Sequence, residues 1–223
     1  MGGSADLLNL ADKPINATKR SVSMDKRAAI LSGTALGALL IGTVAFVLRG
    51  GAYASACSAS AVAGGAIGGP FTLVDELGAT VTDQDVITEP TLVYFGYTFC
   101  PDFCPLDAQR NAIATDLLAD EGTSITPVFI TIDPARDTSA VLAEYTENFH
   151  PRMIGLTGSE DQIRAAAKEY KVIYSKADDD PDFYLMNHTV FTYFVTPEDG
   201  FVDFFKNDDT PETVAQRIAC HIG

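Results

Sequence analysis

The chain is poor in positive charge: among 223 residues there are 15 lysines and arginines against 30 aspartates and glutamates. Gripping a phosphate backbone needs clustered cations, so a nucleic-acid partner is excluded. Cysteine is scarce too. Four residues of that kind in the whole sequence are too few for a small disulfide-stapled scaffold, so each must be judged by its neighbours. The acidic run DDDPD at 178–182 lacks the glycine and terminal glutamate of a calcium loop and reads as a solvated loop. Position 6 is Asp6 rather than serine or threonine, which removes an N-myristoylation signal. No internal repeat is visible, and the 47% apolar composition is that of an ordinary globular protein with one domain and an extension.

Charge is missing altogether from Ala28 to Leu48, AAILSGTALGALLIGTVAFVL. At about 1.5 Å rise per residue such a run spans the roughly 30 Å hydrocarbon core of a bilayer. A buried helix of a globular domain would show a polar face, whereas this run has only scattered serine, threonine and glycine. It is expected to be a transmembrane helix. Lys13, Lys19, Arg20, Lys26 and Arg27 precede it and only Arg49 follows closely, which places residues 1–27 in the cytoplasm and the rest on the exported side. The balance agrees with two different surroundings: six basic against three acidic residues up to Arg49 leave a formal −18 on the remainder. The rival is a cleaved signal peptide ending at Ala54-Ser55-Ala56, but the apolar run is longer than the usual h-region. Asp6, Asp12 and Asp25 are unlike an acid-poor transit peptide, so a bacterial inner membrane is expected, with the mitochondrial inner membrane as the alternative. Residues 49–69, rich in glycine, alanine and serine, read as a flexible tether. Cys57 sits there in ASAC, a poor lipid-attachment box because Ala54 stands where a large aliphatic residue belongs.

Residues 70–223 carry alternating patterns. FTLVDELGATVT reads as a hairpin, TLVYFGY as a buried strand, PLDAQRNAIATDLLAD as a helix, PVFITID as a strand and TSAVLAEYTENF as a helix. A short strand at Met153 to Leu156 follows, then a helix opened by Ser159 with Gln162 three residues on, the capping-box spacing. HTVFTYFV and FVDFF, joined by the turn TPEDG, form a second hairpin, and Thr210 with Pro211 starts a last helix. This order predicts an α/β fold with a mixed sheet.

The strand TLVYFGY runs into TFCPDFCPLDAQ, placing Cys100 and Cys104 between a strand end and a helix start. Unpaired N–H groups and the helix dipole there favour a thiolate, which is both a nucleophile and a soft metal ligand. Two sulfurs at this spacing can close a disulfide or converge on one ion, and two are too few for a four-cysteine zinc or iron–sulfur site. Of the three histidines, His188 opens HTVFTYFV and can project from a sheet end toward the thiols; by position alone it reads as a surface or capping residue more readily than as a ligand. Asp133, Arg136 and Asp137 in ITIDPARDT follow a strand and are expected to brace a loop beside the thiols, since arginine ligates no metal and carboxylates suit soft Cu(I) poorly. Cys220 lies next to His221 on the last helix, where neighbours point about 100° apart and chelate poorly, so a half-buried structural role is expected. His150, before Pro151 and without an acidic or thiol neighbour in sequence, is given no function.

Taken together, YFGYTFCPDFCP, ITIDPARDT, GLTGSEDQI and NHTVFTYFVTPEDG resemble, in order, the successive signatures of the Sco/SenC proteins, copper-handling assembly factors of cytochrome c oxidase. The resemblance runs from about Gly69 to the C-terminus. It implies a thioredoxin-like fold and copper, as Cu(I) or Cu(II), on Cys100, Cys104 and His188. It also implies a recipient, the binuclear copper centre of oxidase subunit II, with other copper carriers or thiol reductants as further partners. One position departs: the family usually has aspartate before the ligand histidine, and here it is Asn187, which would orient or polarise the imidazole less strongly. Thr189 replaces a frequent serine. The expected function is that of a membrane-anchored metallochaperone. The alternatives are a thiol–disulfide oxidoreductase, in which Cys100 and Cys104 are the redox-active pair that reduces the target's cysteines, and a redox or copper sensor.

Overall fold

A computed structural model of the protein describes residues 66–177, 180 and 183–222. The expected cytoplasmic segment, the transmembrane helix at 28–48, Cys57 and nearly all of the tether lie outside the described residues, as does most of the acidic run. Among the described residues, no helix is long and apolar enough to cross a membrane.

Strands β1 (Thr72–Val74) and β2 (Thr80–Thr82) form the expected antiparallel hairpin and lead into a one-turn helix, α1 (Asp83–Val86). Next come β3 (Thr91–Gly96), α2 (Phe103–Asp120), β4 (Thr126–Thr131), α3 (Ser139–Glu147), β5 (Ile154–Leu156) and α4 (Glu160–Glu169). The chain continues through β6 (Tyr174–Lys176), β7 (Met186–His188), β8 (Thr192–Thr196), β9 (Gly200–Phe205) and α5 (Pro211–Ile222). Five strands make one sheet in the order β5-β4-β3-β8-β9, parallel from β3 to β5 and antiparallel at β8 and β9. This is the mixed sheet expected from the element order.

Both faces of the sheet are covered, which explains why β3 and β4 read as unbroken apolar runs rather than alternating ones: every residue of each is buried. On one face Leu92 and Phe194 pack with Leu118 of α2 and with Val214 and Ile218 of α5. On the other, Val93, Phe95 and Ile130 pack with Leu142 of α3 and with Ile163 and Ala166 of α4. The caps follow the sequence. Ser159 Oγ accepts from the Gln162 N–H at 3.3 Å and the Gln162 side chain accepts from the Ser159 N–H at 2.8 Å; Thr138 caps α3.

One expectation fails in an instructive way. HTVFTYFV is not a single strand: His188 is the last residue of β7, which pairs with β6 in a separate two-stranded hairpin, and β8 begins only at Thr192. The chain leaves one sheet and enters another between them.

The carboxyl end of β3 is crowded. A side chain at Gly96 would place its Cβ 2.8 Å from Tyr94 Cε1, 2.9 Å from Phe129 Cζ and 3.0 Å from Cys104 Sγ. Gly96→Ala should therefore destabilise the domain by about 1–3 kcal/mol, as overpacking does, and displace the Cys104 sulfur. Thermal unfolding checks this; an unchanged midpoint would show that the strand end yields freely.

Candidate metal centre

The turn from β3 to α2 carries Cys100 to the helix start and puts Cys104 inside the first helical turn. Helix α2 starts at Phe103 with Asp102 in the cap position, but the Asp102 side chain makes no capping bond. The Cys100 sulfur takes that place, accepting from the Cys104 N–H at 3.4 Å. Cys104 itself is buried and Cys100 half-buried; both are free thiols. The two sulfurs differ sharply in acidity. A hydrogen bond from the Cys104 thiol, reinforced by His188 and by backbone N–H groups, holds Cys100 down at about 3 against the cost of partial burial. The same bond, seen from the donor, pushes Cys104 far above the ordinary thiol range, with burial adding to it.

His188 closes the site from β7. Its Nε2 lies 3.4 Å from Cys104 Sγ, and its Nδ1 lies 2.9 Å from the Thr189 carbonyl. A carbonyl can only accept, so Nδ1 carries a proton and Nε2 is the ring nitrogen that faces the sulfurs. The ring is confined by two edge-on aromatics, Tyr94 with centroids 6.2 Å apart and Tyr97 at 5.8 Å. The donor atoms of Cys100, Cys104 and His188 all lie within 4.8 Å of one another, close enough to share one metal ion. Two sulfurs and an imidazole suit a soft or borderline cation.

The surrounding loops hold these elements in place. Asp137, buried, accepts from the Thr98 N–H at 3.0 Å, the Thr98 hydroxyl at 2.6 Å and the Thr131 hydroxyl at 2.6 Å, pinning the chain just before Cys100. Burial raises its carboxyl above the usual range, and the threonine bonds oppose that rise. Arg136 pairs with Asp133, donates to the Tyr184 carbonyl at 3.0 Å and lies 3.6 Å from the centre of the Tyr184 ring. Tyr184 in turn donates to Asp133 at 2.7 Å. The bracing role expected of Asp133, Arg136 and Asp137 is what they perform, and Tyr184 extends it to the segment that delivers His188. The Met186 N–H donates to the Tyr97 hydroxyl at 3.2 Å, tying β7 to the end of β3.

Other expectations change. Asn187 is exposed and alternates away from His188 along β7, so the imidazole is oriented by the Thr189 carbonyl and not by residue 187. His150 does have an acidic neighbour, brought by the fold: its Nε2 lies 3.3 Å from Asp116, far from the thiols in sequence and on a different helix turn. Cys220 is half-buried as expected and is disulfide-bonded, while His221 turns to Asp203 at 3.4 Å. Tyr94, Tyr97 and Asp107 went unremarked in the sequence. Asp107 follows Cys104 by three residues on a helix, which puts both on one face, and that spacing was the available signal; the tyrosines look like core.

Comparison with known proteins agrees with this geometry. A family model described as SCO1/SenC matches residues 60–223. Protein SenC of Rhodobacter capsulatus is 45% identical over 205 residues, covering 90% of this chain and 93% of its own. Among solved structures, Arabidopsis thaliana ScoI with copper bound is 38% identical with a TM-score of 0.67, over 70% of this chain and 98% of that one. Bradyrhizobium japonicum ScoI with copper bound is 35% identical with a TM-score of 0.63, over 69% and 98%. With a thioredoxin-like sheet, a thiol pair at a helix start and a histidine facing it, this chain belongs to the SCO1/SenC family.

Proposed function

We propose that the protein is a copper metallochaperone, held by a transmembrane helix at 28–48 with residues 1–27 cytoplasmic, 49–69 as tether and 70–223 as the copper-binding domain. It loads Cys100, Cys104 and His188 with one copper ion and passes it to the binuclear copper centre of cytochrome c oxidase subunit II. A bacterial inner membrane is the setting. The observation that carries the reading is the convergence of two sulfurs and one imidazole nitrogen within 4.8 Å, a donor set that holds Cu(I) by sulfur and tolerates Cu(II) by nitrogen. Two relatives with copper bound share the fold and more than a third of the aligned residues.

The surroundings suit hand-over to another protein. Phe103, Leu106 and Leu185 leave 46%, 69% and 39% of their surfaces exposed around the thiol turn and the His188 strand. Apolar side chains grouped at a site's rim favour docking of a macromolecule over capture of a free ion alone. An incoming thiolate or thioether can then displace the ligands one at a time.

One observation favours a second reading: a half-exposed, acidic Cys100 beside a buried Cys104 is also the arrangement of a thiol-exchange pair, with an attacking and a resolving sulfur. In that case the protein would reduce the target's cysteines and another carrier would supply the metal.

Three outcomes are expected. The reduced full chain in detergent should bind about one copper per protein, measured by metal analysis after desalting. The oxidised chain should bind far less, because a Cys100–Cys104 disulfide removes the thiolates; equal loading would refute the site. In the metal-free reduced protein, iodoacetamide should still modify Cys100 at pH 5, since its anion persists as pH falls until about 3, while Cys104 resists at pH 8. Peptide mass mapping reads both, and equal labelling of the two would contradict the asymmetry. Finally, His188→Ala should leave cells with low oxidase activity and a subunit II short of copper, as should Cys100→Ser and Cys104→Ser. A reductase needs only the sulfurs, so normal oxidase copper in the His188→Ala strain would promote the second reading.

A further inference from the structure

The chain has four cysteines, and the metal centre uses two. Cys100 and Cys104 are free thiols, whereas Cys220 is disulfide-bonded. A disulfide takes two sulfurs, and within one chain the count leaves a single residue to supply the second. That residue is Cys57, in the alanine- and serine-rich stretch outside the described residues.

The position of Cys220 agrees with a partner that arrives from outside the packed domain. Val214, Ala215 and Ile218 of α5 are buried against Leu118 of α2. Cys220, on the same helix, is only half-buried. It borders an open groove together with Ala219 and with Leu117 and Glu121 at the carboxyl end of α2. Cys104 lies in the first turn of that helix, so Leu117 is roughly 20 Å further along it at about 1.5 Å per residue. Sulfurs pair only when their Cα atoms come within about 7 Å, which keeps Cys220 out of reach of the thiols of the centre. The tether, in contrast, is long enough. The Gly68 N–H donates to the Glu169 carbonyl at 3.0 Å and fixes the chain there. From that point back to Cys57 the chain can extend to roughly 36–40 Å, at about 3.3–3.6 Å per residue.

We propose that Cys57 and Cys220 form a structural disulfide that clips the tether to the C-terminal helix, at the end of α2 remote from Cys100 and Cys104. Each thiol gives up its hydrogen as the S–S bond forms. The two protons and two electrons pass to the disulfide of a protein oxidant in the oxidising compartment, which is left as a dithiol. The chain then carries two thiol pairs with opposite requirements. Cys57 and Cys220 stay joined, while Cys100 and Cys104 work reduced, and the length of α2 keeps the pairs from exchanging. Only this contrast rests on the reading of Cys100 and Cys104 as working thiols; the crosslink does not. A Cys57 sulfur held in this way has no valence left for a lipid.

The test is a disulfide map of the full chain, exported, purified without reductant and blocked with N-ethylmaleimide. Trypsin and glutamyl endopeptidase together cut after Arg49, Glu76, Arg110 and Arg217, so Cys57, Cys220 and the Cys100–Cys104 pair fall on three separate peptides. Residues 50–76 should appear joined to residues 218–223, with neither joined to residues 77–110. Maleimide on both Cys57 and Cys220, a lipid on Cys57, a bond from either to the thiol pair, or a covalent dimer through either would each overturn the proposal. In the Cys220→Ser chain, Cys57 should become open to alkylation and the thermal midpoint should fall by roughly 5–15 °C, because the lost crosslink closed a loop around nearly the whole domain. Cys57→Ser should give the same fall. Unchanged midpoints would remove the structural role. The map is read on the wild-type chain, so it decides the pairing even where a variant folds poorly. A wild-type chain that is crosslinked as expected but binds no copper would sink the chaperone reading and leave this one standing.

Discussion

Helix α2 begins with N–H groups that its own first turn cannot satisfy, and the Cys100 sulfur rather than a capping carboxylate answers that demand. The rest of the centre is organised around this bond. An acceptor at a helix start is best as an anion, so Cys100 becomes the acidic thiol; an anion so close to Cys104 draws the Cys104 proton toward it and keeps that second sulfur neutral. Burial of Cys104 sharpens the difference. A positive ion entering between them replaces the shared proton and lets both sulfurs be anionic, which is why the same geometry reads as a metal site and as a redox pair.

Keeping Cys100 at that helix start is the task of residues that never touch copper. Asp137 reaches from the β4–α3 loop to Thr98 and to Thr131, joining the thiol turn to the neighbouring parallel strand. A buried carboxylate is costly, and three hydrogen bonds make this one tolerable. Earlier in the same loop, Arg136 and Asp133 hold Tyr184 and through it the approach to β7. One loop thus sets the positions of both halves of the centre.

Much of this architecture was legible in the sequence, for physical reasons that can be named. TLVYFGY and PVFITID are apolar without alternation because both faces of the sheet are covered, and the Ser159–Gln162 cap appears where the spacing places it. The thiol pair was legible because a strand running into a helix fixes the chemistry of whatever sits between. The β6–β7 hairpin was not. Its strands are three residues each, mostly polar and half-exposed, and they have no period to detect; the apolar HTVFTYFV run then drew His188 into the wrong strand. Tyr94 was hidden differently, since a tyrosine in an apolar strand looks like core packing until its hydroxyl is found without a partner. The side chain at 187 turns away from the imidazole because of alternation along β7, which is invisible without knowing that β7 exists.

The division of the proposed ligands between the β3–α2 turn and a separate hairpin bears on how a bound ion could leave. Cys100 and Cys104 are fixed to the buried end of β3 and the start of α2, Cys104 within the hydrophobic core and Cys100 packed against it. His188 hangs on a hairpin outside the main sheet, held by the Met186–Tyr97 bond, the Tyr184 clasp and a backbone bond from Thr189 to Ile173. Segments with few buried contacts open at lower free energy than the core they rest on. Opening of that hairpin would withdraw the imidazole while the sulfurs stay in place. A copper ion left on two thiolates is held well as Cu(I) but is open on one side, where a donor from a docked protein can enter. A site built only for thiol exchange would gain nothing from a detachable nitrogen ligand. A site that releases a tightly held ion needs one ligand that lets go first, and in the proposed ligand set His188 is the one carried on the separate hairpin.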